Sequence, residues 1–236
     1  MDMVCEKHGP YKGEVLEIFG MKVYSSCPVC EAERMAEEER EESLKAERRR
    51  RQDLMGRGVE PEFFAATFAS YHPETESERE ALQGARDLDE GRIEKLLLLG
   101  DYGTGKTHLA DVLVMRSGGI RVTMFEIGAR IRAGYNEGRS DLDELDRLLS
   151  YPLIVIDEIG RTKCSDAERN WMSYLVDKAH VRGIRMVFVS NFMPASEGRR
   201  AGAKTFEDCL PDDVISRMRQ RSRLVVIHGR DRRAGR

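Results

Sequence analysis

The sequence predicts an α/β domain with a mostly parallel five-stranded sheet, preceded by a small cysteine-bearing module and a charged helix. Three observations carry that expectation. Five short apolar runs, Lys95–Leu99, Arg121–Phe125, Leu153–Ile156, Met186–Val189 and Leu224–Ile227, alternate with helical stretches. Runs that are apolar on both faces suit strands covered by helices on two sides, which is the setting of a parallel sheet. Ahead of them, residues 31–54 are almost all helix formers, and three of the five cysteines fall within the first 30 residues.

Three zones follow in order: residues 1–30, a linker over 31–58, and a main domain over 59–236. In the first, Cys5-x-x-His8-Gly9 and Cys27-Pro-Val-Cys30 form two ligand pairs with 18 residues between them, and Met21–Tyr24 reads as a short strand. Zn²⁺ takes four N or S ligands in a tetrahedron, and each two-residue spacing lets a tight knuckle present two. So short a region has no adequate core of its own, and a metal would supply its folding energy. With four protein ligands no coordination position stays open for catalysis. Cys164 and Cys209 have no such pairing and read as buried or surface thiols.

The linker is acidic early and basic late, ending near Arg48-Arg49-Arg50-Arg51, and pairs such as Glu41/Lys45 fall at i,i+4. It has too few apolar residues to bury a wide face. It reads as a solvated rod or as a helix that docks on a partner.

Hydrophobic residues make up 40% of the chain and charged residues 34%, with a net charge of −3. That balance argues against a nucleic-acid binder that is basic overall. From Arg217 to Arg236, however, eight arginines face one acid, Asp231. Such an end could meet phosphate or simply be solvated. No apolar run approaches the roughly 18 residues that span a bilayer. The N-terminus has no apolar signal core, and the odd number of cysteines suits a reducing compartment. A cytoplasmic protein that does not enter membranes is expected.

Gly100-Asp-Tyr-Gly-Thr-Gly-Lys-Thr107 fits G-x-x-x-x-G-K-[ST] at every specified position. Its glycines let backbone N–H groups converge on phosphate oxygens, with a helix N-terminus behind them. Within Gly100, Asp101, Tyr102, Gly103, Thr104, Gly105, Lys106, Thr107 and the adjoining His108, Lys106 is expected to reach the β- and γ-phosphates of ATP and Thr107 to ligate Mg²⁺. The motif follows an apolar run and opens a helical stretch, as this chemistry requires. Leu153-Ile-Val-Ile-Asp-Glu158 lies 51 residues beyond Lys106 and ends in two acids. Asp157 is expected to hold Mg²⁺ and Glu158 to orient and deprotonate the attacking water, which makes hydrolysis the expected outcome. The run Met186–Val189 leads to Ser190-Asn191. Asn191 reads either as a turn residue or as an amide facing the γ-phosphate.

This order of motifs, followed by Val214-Ile-Ser-Arg-Met-Arg219, resembles the AAA+ ATPases. Within them it is most similar to the DnaC-type helicase loaders and their relatives, the IstB-type transposition helpers. Phe64–Tyr71, Ile156–Gly160 with Ser165–Arg169, and Asp212–Met218 carry the narrower match, over about residues 60 to 230. The resemblance implies that Asn191 is a sensor for the γ-phosphate and that Arg217 is an arginine finger serving a neighbouring subunit's ATP. Arg219, Arg221 or Arg223 could fill that place instead, and Arg233 is a weak match for a second sensor arginine. It further implies an ATP-dependent homo-oligomer, single-stranded DNA and a hexameric DnaB-like replicative helicase as partners. Phe125, Arg132 and Tyr135 lie in the part of the chain that would contact DNA, and read either as DNA contacts or as core packing and surface charge. A zinc-ribbon-like N-terminus looks more like the loaders of phages and prophages. The rivals are an IstB-like helper of a transposase and a nucleotide-gated adaptor with little turnover.

Overall fold

A computed structural model describes residues 1–19, 21–161, 165–197 and 204–232. It falls into two compact units, Met1–Asp53 and Leu54–Arg236. The first holds two antiparallel hairpins. β1 (Asp2–Cys5) pairs with β2 (Gly9–Lys12), and β3 (Val15–Ile18) with β4 (Met21–Tyr24). Only β4 was legible beforehand, because segments such as Gly-Pro-Tyr-Lys lack the apolar alternation of a half-buried strand. α1 (Pro28–Gly56) begins earlier than the sequence suggested, so Cys30 lies in its first turn. Its 29 residues give a rod about 43 Å long. The pairs Arg34/Glu38, Glu41/Lys45 and Glu47/Arg51 close at 2.7, 3.2 and 2.7 Å. Such exposed pairs each add only a few tenths of a kcal/mol to the helix.

In the second unit, α2 (Glu76–Asp89) precedes β5 (Lys95–Gly100) and α3 (Lys106–Ser117). β6 (Ile120–Thr123), α4 (Met124–Tyr135), α5 (Asp141–Leu148) and β7 (Leu153–Asp157) follow, then α6 (Asp166–Arg182), β8 (Arg185–Ser190), α7 (Asp212–Arg219) and β9 (Ser222–Ile227). The sheet order is β6-β7-β8-β5-β9, and every adjacent pair is parallel. The double-sided apolar runs are explained by two cores. Leu97, Leu99, Ile156 and Phe188 face α4 to α7, while Leu96, Leu98, Val155 and Val187 face α2 and α3.

One boundary differs from expectation. Residues 124 and 125 continue an apolar run, yet they open α4. The Glu126 N–H donates to Thr123 Oγ1 at 3.1 Å, and the Thr123 N–H donates to the Glu126 carboxylate at 2.7 Å. This reciprocal capping box outweighs the β preference of Val-Thr-Met-Phe and carries Phe125 onto an exposed helical turn. Among the described residues, no helix is long and apolar enough to cross a membrane.

Candidate nucleotide site and metal centre

The loop between β5 and α3 is set by glycine geometry. Gly100 has φ +121°, and a Cβ there would run into the Ile227 carbonyl. Gly105, at φ +86°, gives the Tyr71 ring room to pack against the loop, and the Tyr71 hydroxyl donates to the Thr104 carbonyl at 3.0 Å. Thr104 Oγ1 donates to the Asp101 carbonyl at 3.0 Å. The buried Lys106 ammonium donates to the carbonyls of Gly100 and Asp101 at 3.0 and 2.5 Å. Tyr102 is exposed. His108 has Nε2 3.3 Å from the Thr67 carbonyl, with the Phe63 and Tyr71 rings edge-on at 5.5 and 5.6 Å. Burial there lowers its pKa and favours the neutral imidazole.

The parallel register brings the other predicted groups to the same sheet edge. Thr107 Oγ1 donates to Asp157 Oδ2 at 3.3 Å. Asp157 Oδ1 accepts the Glu158 N–H at 2.7 Å. Glu158 stands at φ +56°, a left-handed turn that swings its side chain out of the strand line. It is ion-paired with Arg161, and the two share a cleft of about 430 Å³ with Thr123, Met124 and Phe125. Leu99 pairs with Ser190, so Asn191 follows one residue past that pair, beside the start of the loop. Ser190 Oγ donates to the Ile159 carbonyl at 2.7 Å and fixes this turn. The loop, Asp157, Glu158 and Asn191 therefore gather at the carboxyl ends of β5, β7 and β8, where parallel sheets place their ligand sites.

The arginines of the C-terminal stretch are partnered. Arg217 on α7 is ion-paired with Asp177 on α6. Arg219 meets Glu207 at 2.8 Å, Arg221 meets Glu94 at 2.6 Å and Arg223 meets Asp87 at 2.7 Å. Arg230 reaches Glu74 at 2.9 Å and Arg232 reaches Glu78 at 2.8 Å. The net basic run is thus matched by acids from distant segments. Arg232 also lies 4.9 Å from the Tyr71 ring centre, and its N–H donates to the Gly103 carbonyl at 3.2 Å. Arg233, Arg236 and Cys164 lie outside the described residues. Cys209 is buried in the core beside α7, its thiol 3.5 Å from the Thr205 carbonyl.

Two residues next to the site went unremarked in the sequence. Arg121 on β6 is buried, with Nη1 3.0 Å from Asp157 Oδ2 and Nε 2.7 Å from Asp111 Oδ1. The signal was present: an arginine inside the apolar run Ile-Arg-Val, and an acid inside Leu-Ala-Asp-Val-Leu. Opposite charges in two buried segments imply a pair. Burial pushes Asp111 up to about 7, even with Arg121 drawing it down. A carboxyl raised above its unfolded value near 3.9 favours the fold when protonated. That contribution is complete below about pH 4 and is lost as pH rises through about 7. Asp111→Asn cannot ionise and lacks this loss. Urea unfolding should therefore show wild type losing ground to Asp111→Asn by up to about 1.4 kcal/mol per pH unit between pH 5 and 7. A constant gap would mean that Arg121, with the Glu60 N–H alongside, keeps Asp111 ionised throughout.

In the first unit, ligand atoms of Cys5, His8, Cys27 and Cys30 all lie within 4.8 Å of one another. Cys5 Sγ is 3.5 Å from Cys30 Sγ and 3.8 Å from His8 Nδ1, while Cys27 and Cys30 Sγ are 3.8 and 3.3 Å from that nitrogen. A zinc tetrahedron with its usual bond lengths has edges of about 3.5–3.8 Å, so the donor set fits the ion. The N–H groups of His8 and Lys7 lower Cys5 to about 6, giving a thiolate at neutral pH. Sharing a hydrogen bond with that thiolate raises Cys30 to about 11. His8 turns Nδ1 to the sulfurs and Nε2 to Glu33, 3.3 Å away, an outer partner that fixes the ring.

Residues 37–234 match the family model described as IstB-like ATP binding protein. The chain belongs to that family. It is 28% identical over 183 residues to the replicative helicase loader DnaC of Escherichia coli K12, covering 74% of this chain and 71% of that protein. Among solved structures, the DnaC helicase loader superposes with a TM-score of 0.60 at 24% identity, over 72% of this chain and all of that one. The replication initiator DnaA bound to AMPPCP and single-stranded DNA gives 0.57 at 16% identity, over 73% of this chain and 51% of that one. The AAA+ fold anticipated from the motifs is thus the fold of the family, and the resemblance to DnaC-type and IstB-type proteins holds.

Proposed function

We propose that this chain is a cytosolic, ATP-dependent loader of a hexameric replicative helicase, hydrolysing ATP at subunit interfaces and contacting single-stranded DNA. The observation that carries the nucleotide half is the meeting of Thr107, Asp157 and Glu158 at the end of the phosphate-binding loop. The loading half is supported by the likeness to DnaC.

ATP binding would exchange the carbonyl partners of Lys106 for phosphate oxygens and use the loop's N–H groups on the remaining charge. Mg²⁺ when bound would neutralise developing phosphate charge, with Thr107 and Asp157 as its protein partners. Glu158 would leave Arg161 and take the proton of the attacking water. Asn191 would orient that water or the γ-phosphate. Arg217 would leave Asp177 and reach the nucleotide of an adjacent subunit. On this reading residues 1–30 hold zinc through Cys5, His8, Cys27 and Cys30 and dock on the helicase, 31–58 link, and 59–236 form the ATPase. Phe125 and Tyr135, exposed on α4 near Arg132, offer stacking and charge to DNA.

Mixing Arg217→Ala with Glu158→Gln subunits tests action between subunits. Each variant alone should be nearly inactive, and an equal mixture should recover about a quarter of wild-type turnover, because an intact Glu158 then meets an intact Arg217 of its neighbour at about one site in four. No recovery on mixing, or full activity of Arg217→Ala alone, would place the finger elsewhere.

A second reading has its own support in the description of the matching family model. As an IstB-like helper, the chain would bind a transposase and duplex DNA. Pull-downs with purified DnaB-like helicase and with a transposase separate the two: retention of transposase alone would overturn the loader reading.

A further inference from the structure

We propose that Arg121 is a positioning residue for Asp157, and that it ties this carboxylate to the segment Gly58–Glu60. The inference rests on the reading of Asp157 as a magnesium partner and goes beyond it.

One guanidinium serves three parts of the fold. Nη1 binds Asp157 at the end of β7 at 3.0 Å, and Nε binds Asp111 on α3 at 2.7 Å. Nη2 donates to the Gly58 carbonyl at 2.6 Å and to Glu60 at 3.1 Å. The register explains the reach. Arg121 pairs with Val155 and Thr123 with Asp157, so Arg121 and Asp157 project from the same face, toward α3.

Stability alone does not account for this group. Withdrawing a guanidinium and two carboxylates from water is costly, and apolar residues of similar volume commonly do as well or better. What the arrangement supplies is a single orientation. Asp157 Oδ1 is held by the Glu158 N–H at 2.7 Å. Oδ2 is held by Arg121 and by the hydroxyl of Thr107, the latter at 3.3 Å. Thr107 is itself wanted by the metal, which leaves Arg121 as the contact that keeps Oδ2 in place when that hydroxyl turns away. With Arg121 gone, the buried Asp157 carboxylate would also lack its counter-charge.

The link to the 57–60 segment is made twice. The Arg121 N–H donates to the Arg57 carbonyl at 2.8 Å, and Gly58, at φ +82°, lies so close to the Arg121 carbonyl that a Cβ would collide with it. The Glu60 N–H in turn donates to Asp111 at 3.3 Å. This segment directly follows α1 in the chain. A shift in it pulls on the guanidinium that steadies Asp157, which gives the metal site a mechanical connection to the residues leading into the ATPase unit.

The test uses the full-length protein, a fluorescent N-methylanthraniloyl ATP, and affinities measured in EDTA and across a magnesium titration, beside thermal unfolding. Arg121→Met should bind the analogue as wild type does without metal, because the loop and Lys106 are untouched. Its half-saturating magnesium concentration should rise about tenfold, the scale found when outer partners of a metal ligand are removed. Arg121→Lys keeps the charge and most of the stem but cannot bridge all four partners, so its magnesium requirement should rise by a smaller factor in a folded protein. An unchanged or lowered requirement in either folded variant overturns the inference. A wild type that binds no analogue even with magnesium overturns the nucleotide reading itself and this inference with it, which keeps the two failures distinct.

Discussion

Glu158→Gln retains ATP and loses turnover, by about two to four orders of magnitude. The substitution is nearly isosteric and leaves the backbone N–H on Asp157 Oδ1 in place. Both residues accept the φ of +56° at the same steric cost, so the turn is not relaxed as it would be by glycine. An amide cannot take a proton from water, and this is the one property the change removes. The pair with Arg161 is exposed, so its loss should cost under about 1 kcal/mol and leave the fold intact. Phosphate release in steady state, set against equilibrium nucleotide binding, separates the two effects. If wild type already turns over at the variant's rate, with and without single-stranded DNA, the chain is a nucleotide-gated adaptor instead.

The second large effect concerns the N-terminal unit. Stripping the metal with a strong chelator, or replacing Cys27 with alanine, should unfold residues 1–27 while the ATPase unit keeps its melting temperature. Little else holds the hairpins. Each has two strands, and such a hairpin is marginal alone in water. Cys27 and Gly13 are the buried positions among the described residues before α1. Structural zinc supplies about 10–16 kcal/mol in small metal-dependent domains, far more than one or two hairpins can lose and survive. Limited proteolysis should cut near the hairpins after chelation and spare the second unit. Freshly purified protein without stoichiometric zinc would remove the basis of the expectation.

What the sequence disclosed, it disclosed where chemistry is written in adjacent residues. The loop from Gly100 to Thr107, the pair Asp157-Glu158 and the two cysteine-containing knuckles each need a fixed spacing and little else. Strands buried on both faces were legible for the same reason. Features that depend on partners far along the chain were not. Arg121 finds Asp157 36 residues on and Glu60 61 residues back. The C-terminal arginines looked like a local charge run, yet their acids stand on or just before α2 and around β5, such as Glu74, Asp87 and Glu94. The start of α4 was misplaced because two capping hydrogen bonds decide it and an apolar run hides it.

The sheet order also governs when the nucleotide site comes into being. β5, which carries the loop, lies between β8 and β9, so Lys95 meets Met186 on one side and Ser222 on the other. Its nearest strand in the chain, β6, is at the far edge. During synthesis the Gly100–Thr107 stretch leaves the ribosome before β8 and β9, the two strands that flank β5 and hold the base of the loop in register. Contacts this distant are entropically slow to form. A chain cut before β8 should therefore lose its grip on nucleotide, so that holding nucleotide reports that both flanking strands have paired with β5.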